Sequence, residues 1–257
     1  MSVQISTAQI LALVGSYLWP FARIAAAIMV APVFNAHVVP KRVRLVLAVA
    51  LTLVIAPATS PAAAPEPFSG PGLLLVAQEM LIGLAMGFVL QMIFDALVIA
   101  GQTIAMSMGL GFAFLLDSQR GVSVPVLSQM FVMLATLTFL ALDGHLALID
   151  AMASSFSTLP VGSGLGRNGA WALVGFGTTL FAGALQVALP AAIALIVVNL
   201  AFGVMSRAAP TLNLFAVGFP VTMALGFVIL LWTLPNVQAS FVSLLSASFT
   251  LVHGLVG

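Results

Sequence analysis

Between Arg167 and Arg207 the chain runs for 39 residues, Asn168–Ser206, without one charged side chain. As a single helix this stretch would rise about 58 Å at 1.5 Å per residue, nearly twice the ~30 Å hydrocarbon core of a bilayer. Beyond Arg207 another 50 residues follow with no charge except any carried by His253. Tilt absorbs only part of such an excess. The two stretches together predict one long hairpin, turning near Arg207–Pro210 and kinked at Pro190, Pro220 and Pro235. A hairpin of that length projects past a membrane and is covered there by other subunits.

The rest of the chain agrees. Of 257 residues, 62% are hydrophobic and 5% charged, with a mean hydropathy of +1.25. Soluble domains carry about 25% charged residues, and disordered chains are poor in apolar ones, so a polytopic membrane protein remains. Six apolar segments are expected: Ala8–Val33, broken by Pro20 and carrying Arg23; Val43–Ala58; Leu73–Met108; Val126–Phe156; Ala170–Ser206; and Leu212–Val252. They show no period-2 alternation and are too long for barrel strands. The expected fold is therefore all-α and membrane-associated, with about six long, kinked hydrophobic helices. No positive residue precedes Arg23, so no secretory signal peptide is expected.

Linkers are legible at Pro57–Gly72, rich in Pro and Ala, and at Gly162–Gly169, rich in Gly. The only basic cluster is Pro40–Arg44. With six spans, Lys41, Arg42, Arg44, Arg120 and Arg207 share one side and Arg167 alone takes the other, which places the cluster in the cytoplasm and both termini outside. A net charge of +1 gives no field for nucleic acid. The absence of Cys removes disulfides, thiolate metal sites and Cys nucleophiles.

Charges inside apolar segments are functional candidates by default. Here they are Arg23, Glu79 and Asp95, with Asp143 and Asp150 nearer a segment end; structural pairing and snorkelling are the alternatives. Arg23 and Asp95 lie deepest and could pair with each other. Ser154 or Ser155, His145 and Asp143 or Asp150 could supply a hydrolytic triad, but no G-x-S-x-G elbow accompanies them. Three isolated His residues offer no metal-ligand spacing, and no phosphate-binding G-x-x-x-x-G-K-[ST] loop occurs. No cofactor is expected, and any use of ATP or protons falls to partners. Gly83 and Gly87 form a G-x-x-x-G that would let helices approach closely.

The most informative stretch is Met106–Pro125, MSMGLGFAFLLDSQRGVSVP. Gly109 and Gly111 break helical propensity. Met106, Met108, Phe112, Phe114, Leu115 and Leu116 are bulky and apolar, and a turn-like Asp117–Gly121 follows. Such a segment reads equally as a re-entrant apolar plug in a cavity and as a loop with frayed helix ends.

The order of segments resembles the FliR/SctT family, the export-gate proteins of flagellar and virulence type III secretion. The likeness is carried by ISTAQILAL, WPFARIAAAIMVAPVFNAHVVPKRVRLVLA, QEMLIGLAMGF, AGQTIAMSMGLGFAFLLD, DGHLALIDAMASSFSTLPVG and LPAAIALIVVNLAFGVMSRAAPTLNLFAVGFP, in that order and over nearly the whole chain. The resemblance implies a FliP-like amino-terminal part, residues 1–169, and a FliQ-like carboxy-terminal hairpin, residues 170–257. It implies a gate built with FliP-like and FliQ-like subunits, adjoining FlhB-like and FlhA-like export proteins. That gate would sit in the bacterial inner membrane at the flagellar basal body, project to the periplasmic side and pass unfolded flagellar proteins.

The loop containing Met106, Met108, Gly109, Gly111, Phe112, Phe114, Leu115 and Asp117 corresponds to the family's channel plug. Two details depart from the family: Asp117-Ser118 where Asp-Pro is frequent, and Pro210-Thr211-Leu212-Asn213 where Pro-Gln-Leu-Asn is common. With the chain ending at Gly257, no fused FlhB-like switch is expected. Flagellar membership is favoured over a virulence system by VAPVFNAHVVPKRVR. The competing functions are a small-solute secondary transporter with a midplane site at Arg23 and Asp95, and an intramembrane enzyme. Matching breaks in two halves would mark a transporter, and the Pro residues do not fall that way.

Overall fold

The computed structural model describes residues 7–36, 38–59, 65–111, 126–208 and 214–256. Among them the regular structure is helical, without strands. In chain order the helices are α1 (Thr7–Val30), α2 (Lys41–Ile55) with a 3-10 turn at Ala56–Ala58, α3 (Gly70–Ser107), α4 (Val126–Ala141), α5 (Gly144–Thr158), α6 (Arg167–Ala208) and α7 (Leu214–Val256). α1, α3, α6 and α7 are long and apolar enough to cross a membrane. α2 has 15 residues and rises only about 22 Å on its own.

The expected segments map onto these helices with three differences. α1 runs unbroken through Pro20, because a proline removes one ladder bond without ending a helix that packing holds together; α6 and α7 contain Pro190, Pro220 and Pro235 inside continuous helices, as expected of kink positions. The run Val126–Phe156 is two helices, because Asp143 adopts a left-handed backbone at φ 53°. Asp tolerates that region better than most residues, and Gly144 follows it where a β-carbon would stand 2.5 Å from the Phe139 ring. Finally, α3 and α6 each begin three residues before the expected start, at Gly70 and at Arg167, the latter after a turn in which Gly162 and Gly164 take φ 96° and 70°. The turn between α6 and α7 falls at 209–213, outside the described residues.

The chain forms two compact units. The first draws on Met1–Met92, Phe139–Gly177 and Ser246–Gly257; the second on Ile93–Thr138 and Thr178–Leu245. In the first, α1 and the start of α3 pack with little side chain between them. A β-carbon at Gly83 would run into the Arg23 carbonyl oxygen, and one at Gly87 would stand 2.6 Å from that of Ala27. The G-x-x-x-G is thus an internal contact surface, met by Ala26 and Ala27, both buried. In the second unit α3 and α4 approach as closely: a β-carbon at Gly101 would lie 2.7 Å from the Ser128 Cα. The Ser128 hydroxyl donates to the Val98 carbonyl at 2.8 Å. Phe94 of α3 meets Phe241 of α7 edge-on, ring centroids 5.5 Å apart.

Burial is uneven along the chain. Within the spanning part of each helix, 67% of α3 is buried, against 28% of α6 and 22% of α7. Trp171, Phe181, Leu200, Val204, Leu231 and Trp232 are all more than 60% exposed. So much apolar surface needs lipid or protein around it.

Candidate functional site

Arg23 is fully buried, one turn beyond Pro20 on α1. Its counter-ion is Glu79 on α3, also fully buried. The guanidinium Nε donates to Glu79 Oε2 at 2.7 Å, and Nη2 stands 2.7 Å from the same oxygen. Nη1 donates to the Ser155 carbonyl and hydroxyl, both at 3.0 Å, and Nη2 to the Leu159 carbonyl at 3.0 Å. The Phe156 ring lies under the guanidinium, 4.3 Å from its centroid. The second carboxylate oxygen, Glu79 Oε1, accepts the Gly162 N–H at 3.2 Å. Two opposite charges, the end of α5 and the following turn therefore form one satisfied cluster. A guanidinium suits it because five fixed donors serve several acceptors at once.

The sequence singled out Arg23 and Glu79 but left their partners open. The pairing of Arg23 with Asp95 is not the one formed. Asp95 is half-buried on the part of α3 that belongs to the second unit. Ser155, Phe156, Leu159 and Gly162 were not expected at the cluster, since nothing in their local sequence points to a distant arginine.

The apolar plug candidate begins where α3 ends. Gly109 has φ 80°; its N–H bonds the Met106 carbonyl and the Leu110 N–H that of Ala105, both at 3.0 Å. This pair of bonds is a Schellman cap, with Gly109 at the position that needs a left-handed residue. Gly109 thus stops the helix. Met108 is fully buried and Met106 is 58% exposed. The Met106 sulfur lies back over Gly111, 2.6 Å from where a β-carbon would be. Phe112, Phe114, Leu115 and Asp117 lie outside the described residues.

The basic cluster divides by role. Lys41 and Arg42 are exposed in the first turn of α2. Arg44 turns back onto its own loop, donating to Asn35 Oδ1 at 2.5 Å and to the carbonyls of Ala36 at 2.8 Å and Val39 at 3.0 Å. Arg207 is exposed in the last turn of α6, where a cation complements the helix dipole.

The geometry does not assemble a triad. The Ser155 hydroxyl donates to Met152 at 2.7 Å while accepting from Arg23, and that of Ser154 goes to Ala151 at 3.1 Å. Asp143 is exposed at the helix break. Among the described residues no group of three or more His, Asp or Glu could hold a metal ion.

Compared with known proteins, residues 14–248 match the family described as bacterial export proteins, family 1. The chain is 38% identical to the flagellar biosynthetic protein FliR of Escherichia coli K12, over 99% of this chain and 97% of that protein. It is 39% identical to the FliR of Pectobacterium carotovorum over 95% and 93%, and 31% identical to that of Aquifex aeolicus over 83% of each.

Proposed function

The chain belongs to family 1 of the bacterial export proteins, and from that membership we propose that it is a core subunit of the flagellar protein-export gate, lining and plugging the channel for unfolded substrates. The observation that carries this reading is likeness to flagellar FliR along 99% of the chain. The protein is a component of the flagellar export apparatus, in the inner membrane, acting with other export components.

The finer reading names the parts. Residues 1–169 take the place of a FliP-like subunit and residues 170–257 that of a FliQ-like hairpin, whose exposed apolar faces on α6 and α7 call for FliP-like and FliQ-like neighbours as well as lipid. FlhB-like and FlhA-like proteins adjoin the gate, and part of it rises to the periplasmic side. Lys41, Arg42, Arg44 and Arg207 face the cytoplasm near the substrate entrance. The role is gating rather than catalysis. A solute site at Arg23 is disfavoured, because its guanidinium is fully buried and already makes four hydrogen bonds and an ion pair within the chain.

Met106–Asp117 closes the idle channel. The support is an apolar run following an abrupt helix end at Gly109. Apolar residues that fill a constriction stop ions by exclusion and dewetting, and Met adapts to the irregular gap. The test is conductance of the assembled gate in a planar bilayer. Deleting 106–117, or replacing Phe112 and Phe114 by Gly, should open an idle leak. Closed wild-type conductance in a complex that still assembles without the loop would refute the plug. A cysteine at position 42 that labels from the periplasm would overturn the orientation.

A further inference from the structure

A helix end leaves backbone carbonyls without intrahelical partners. At the end of α3 the Schellman bonds serve Ala105 and Met106, and the Met108 N–H serves Ile104. The Ser107 carbonyl is next in line, and the cap does not reach it. It is met from α6: Asn199 Nδ2 donates to Ser107 O at 3.1 Å. Asn199 sits within the 39-residue uncharged run, where a primary amide is costly unless its hydrogen bonds are made.

One residue further, the buried Met108 lies on Gly226 of α7. A β-carbon there would stand 2.6 Å from Met108 Cε and 2.7 Å from its Cγ. Two turns earlier on α7, the Phe219 ring covers Gly109, 3.3 Å from where a β-carbon would be. Thus Ser107, Met108 and Gly109, the three residues from which the apolar segment springs, are held by α6 and α7 together.

We propose that Asn199 and Gly226 form the seat of the plug: Asn199 anchors the carbonyl at its root, Gly226 makes room for Met108, and the carboxy-terminal hairpin thereby fixes the closed position. The inference rests on the plug reading of Met106–Asp117 and adds the residues that position it. Both are positioning residues, acting through the root and not by filling the channel. Displacing α6 or α7 releases the root, which gives neighbours packed on the outer faces of the hairpin a mechanical route to the plug.

The experiment uses the full export complex, with idle current recorded in planar bilayers. Asn199→Leu keeps the side-chain bulk and removes the donor. Gly226→Ala puts a β-carbon into Met108. Each should raise the open fraction roughly tenfold, the shift expected when one state loses a hydrogen bond or its equivalent in packing. Gly226→Ala should have no further effect once Met108 is Ala, because the clash is with that side chain; a general defect in hairpin packing would persist in that background.

Wild-type closed current in Asn199→Leu and Gly226→Ala, alongside a leaking Phe112→Gly/Phe114→Gly complex, overturns the seat and leaves the plug standing. A Phe112→Gly/Phe114→Gly complex that does not leak overturns both. If Asn199→Leu does not assemble, the Gly226→Ala and Met108→Ala cycle decides alone: additive effects refute the seat, and loss of the Gly226→Ala effect in the Met108→Ala background supports it.

Discussion

Glu79→Gln is the sharpest probe of the first unit, because one atom changes and the shape does not. The carboxylate serves two directions: Oε2 takes Nε and Nη2 of Arg23, and Oε1 takes the Gly162 N–H. A glutamine has one oxygen. Turned toward Arg23, it sets its NH2 against the Gly162 N–H; turned toward Gly162, it sets that NH2 against the guanidinium. Either way two donors oppose each other, and Arg23 remains charged at a site without solvent. Removing one partner of a buried pair costs about 3–5 kcal/mol. At about 2–4 °C per kcal/mol for a chain of this size, the unfolding midpoint should fall on the order of 10 °C.

The assay is the fraction remaining monodisperse in mild detergent after heating, followed with helicity by circular dichroism. Glu66, exposed in the turn before α3, supplies the control: Glu66→Gln should stay within about 0.5 kcal/mol of the parent. Replacing both partners, Arg23→Met with Glu79→Leu, should recover the Coulombic part. It still leaves the Leu159 carbonyl and the Gly162 N–H without partners, each worth about 1–3 kcal/mol, so the double variant should stay below wild type. A Glu79→Gln midpoint within about 2 °C of wild type would refute the reasoning.

Gly83→Leu or Gly87→Leu forces α1 and α3 apart through the Arg23 and Ala27 carbonyls, so each should lower accumulation of folded protein in membranes, read by immunoblot. Arg44→Ala should speed limited proteolysis in the 32–39 loop by removing donors to Asn35, Ala36 and Val39, whereas Lys41→Gln with Arg42→Gln should leave cleavage unchanged. Asp143→Val should cost about 1–2 kcal/mol, since a β-branched residue resists the left-handed backbone there, while Asp143→Gly should be tolerated; thermal midpoints of the purified variants distinguish them.

What could be read from the sequence was whatever depends on local apolar content. The all-helical membrane class followed from long runs with few charges, and the two overlong carboxy-terminal helices from two distances between charges. The end of α3 was legible too, because Gly109 and Gly111 stand inside an apolar run. The break of the fourth segment has a local signal, since Asp143-Gly144 is a turn pair, but hydropathy averages over it. The partners of Arg23 carried none. Glu79 lies 56 residues away and Leu159 lies 136 away, and the residues between do not encode which turns meet. Asn199 and Gly226 carry no local signal either, because an amide and a glycine on an apolar helix gain a role only when the end of another helix is placed against them.

These cases share a physical cause. In a chain with 5% charged residues, most of it away from water, orphaned backbone groups have few donors to meet them. Three polar side chains are found at such groups: Arg23 at the Leu159 carbonyl beyond α5, Asn199 at the Ser107 carbonyl ending α3, Arg44 at the carbonyls of Ala36 and Val39 before α2. Glu79 supplies the complementary acceptor, for the Gly162 N–H. An intramembrane polar residue is ordinarily taken first as a solute or proton site. In this protein the prior question is which helix end it closes. If Met106–Asp117 is the plug proposed above, the bond from Asn199 that closes the end of α3 is structural and functional at once, and it would give the carboxy-terminal helices a hold on the plug.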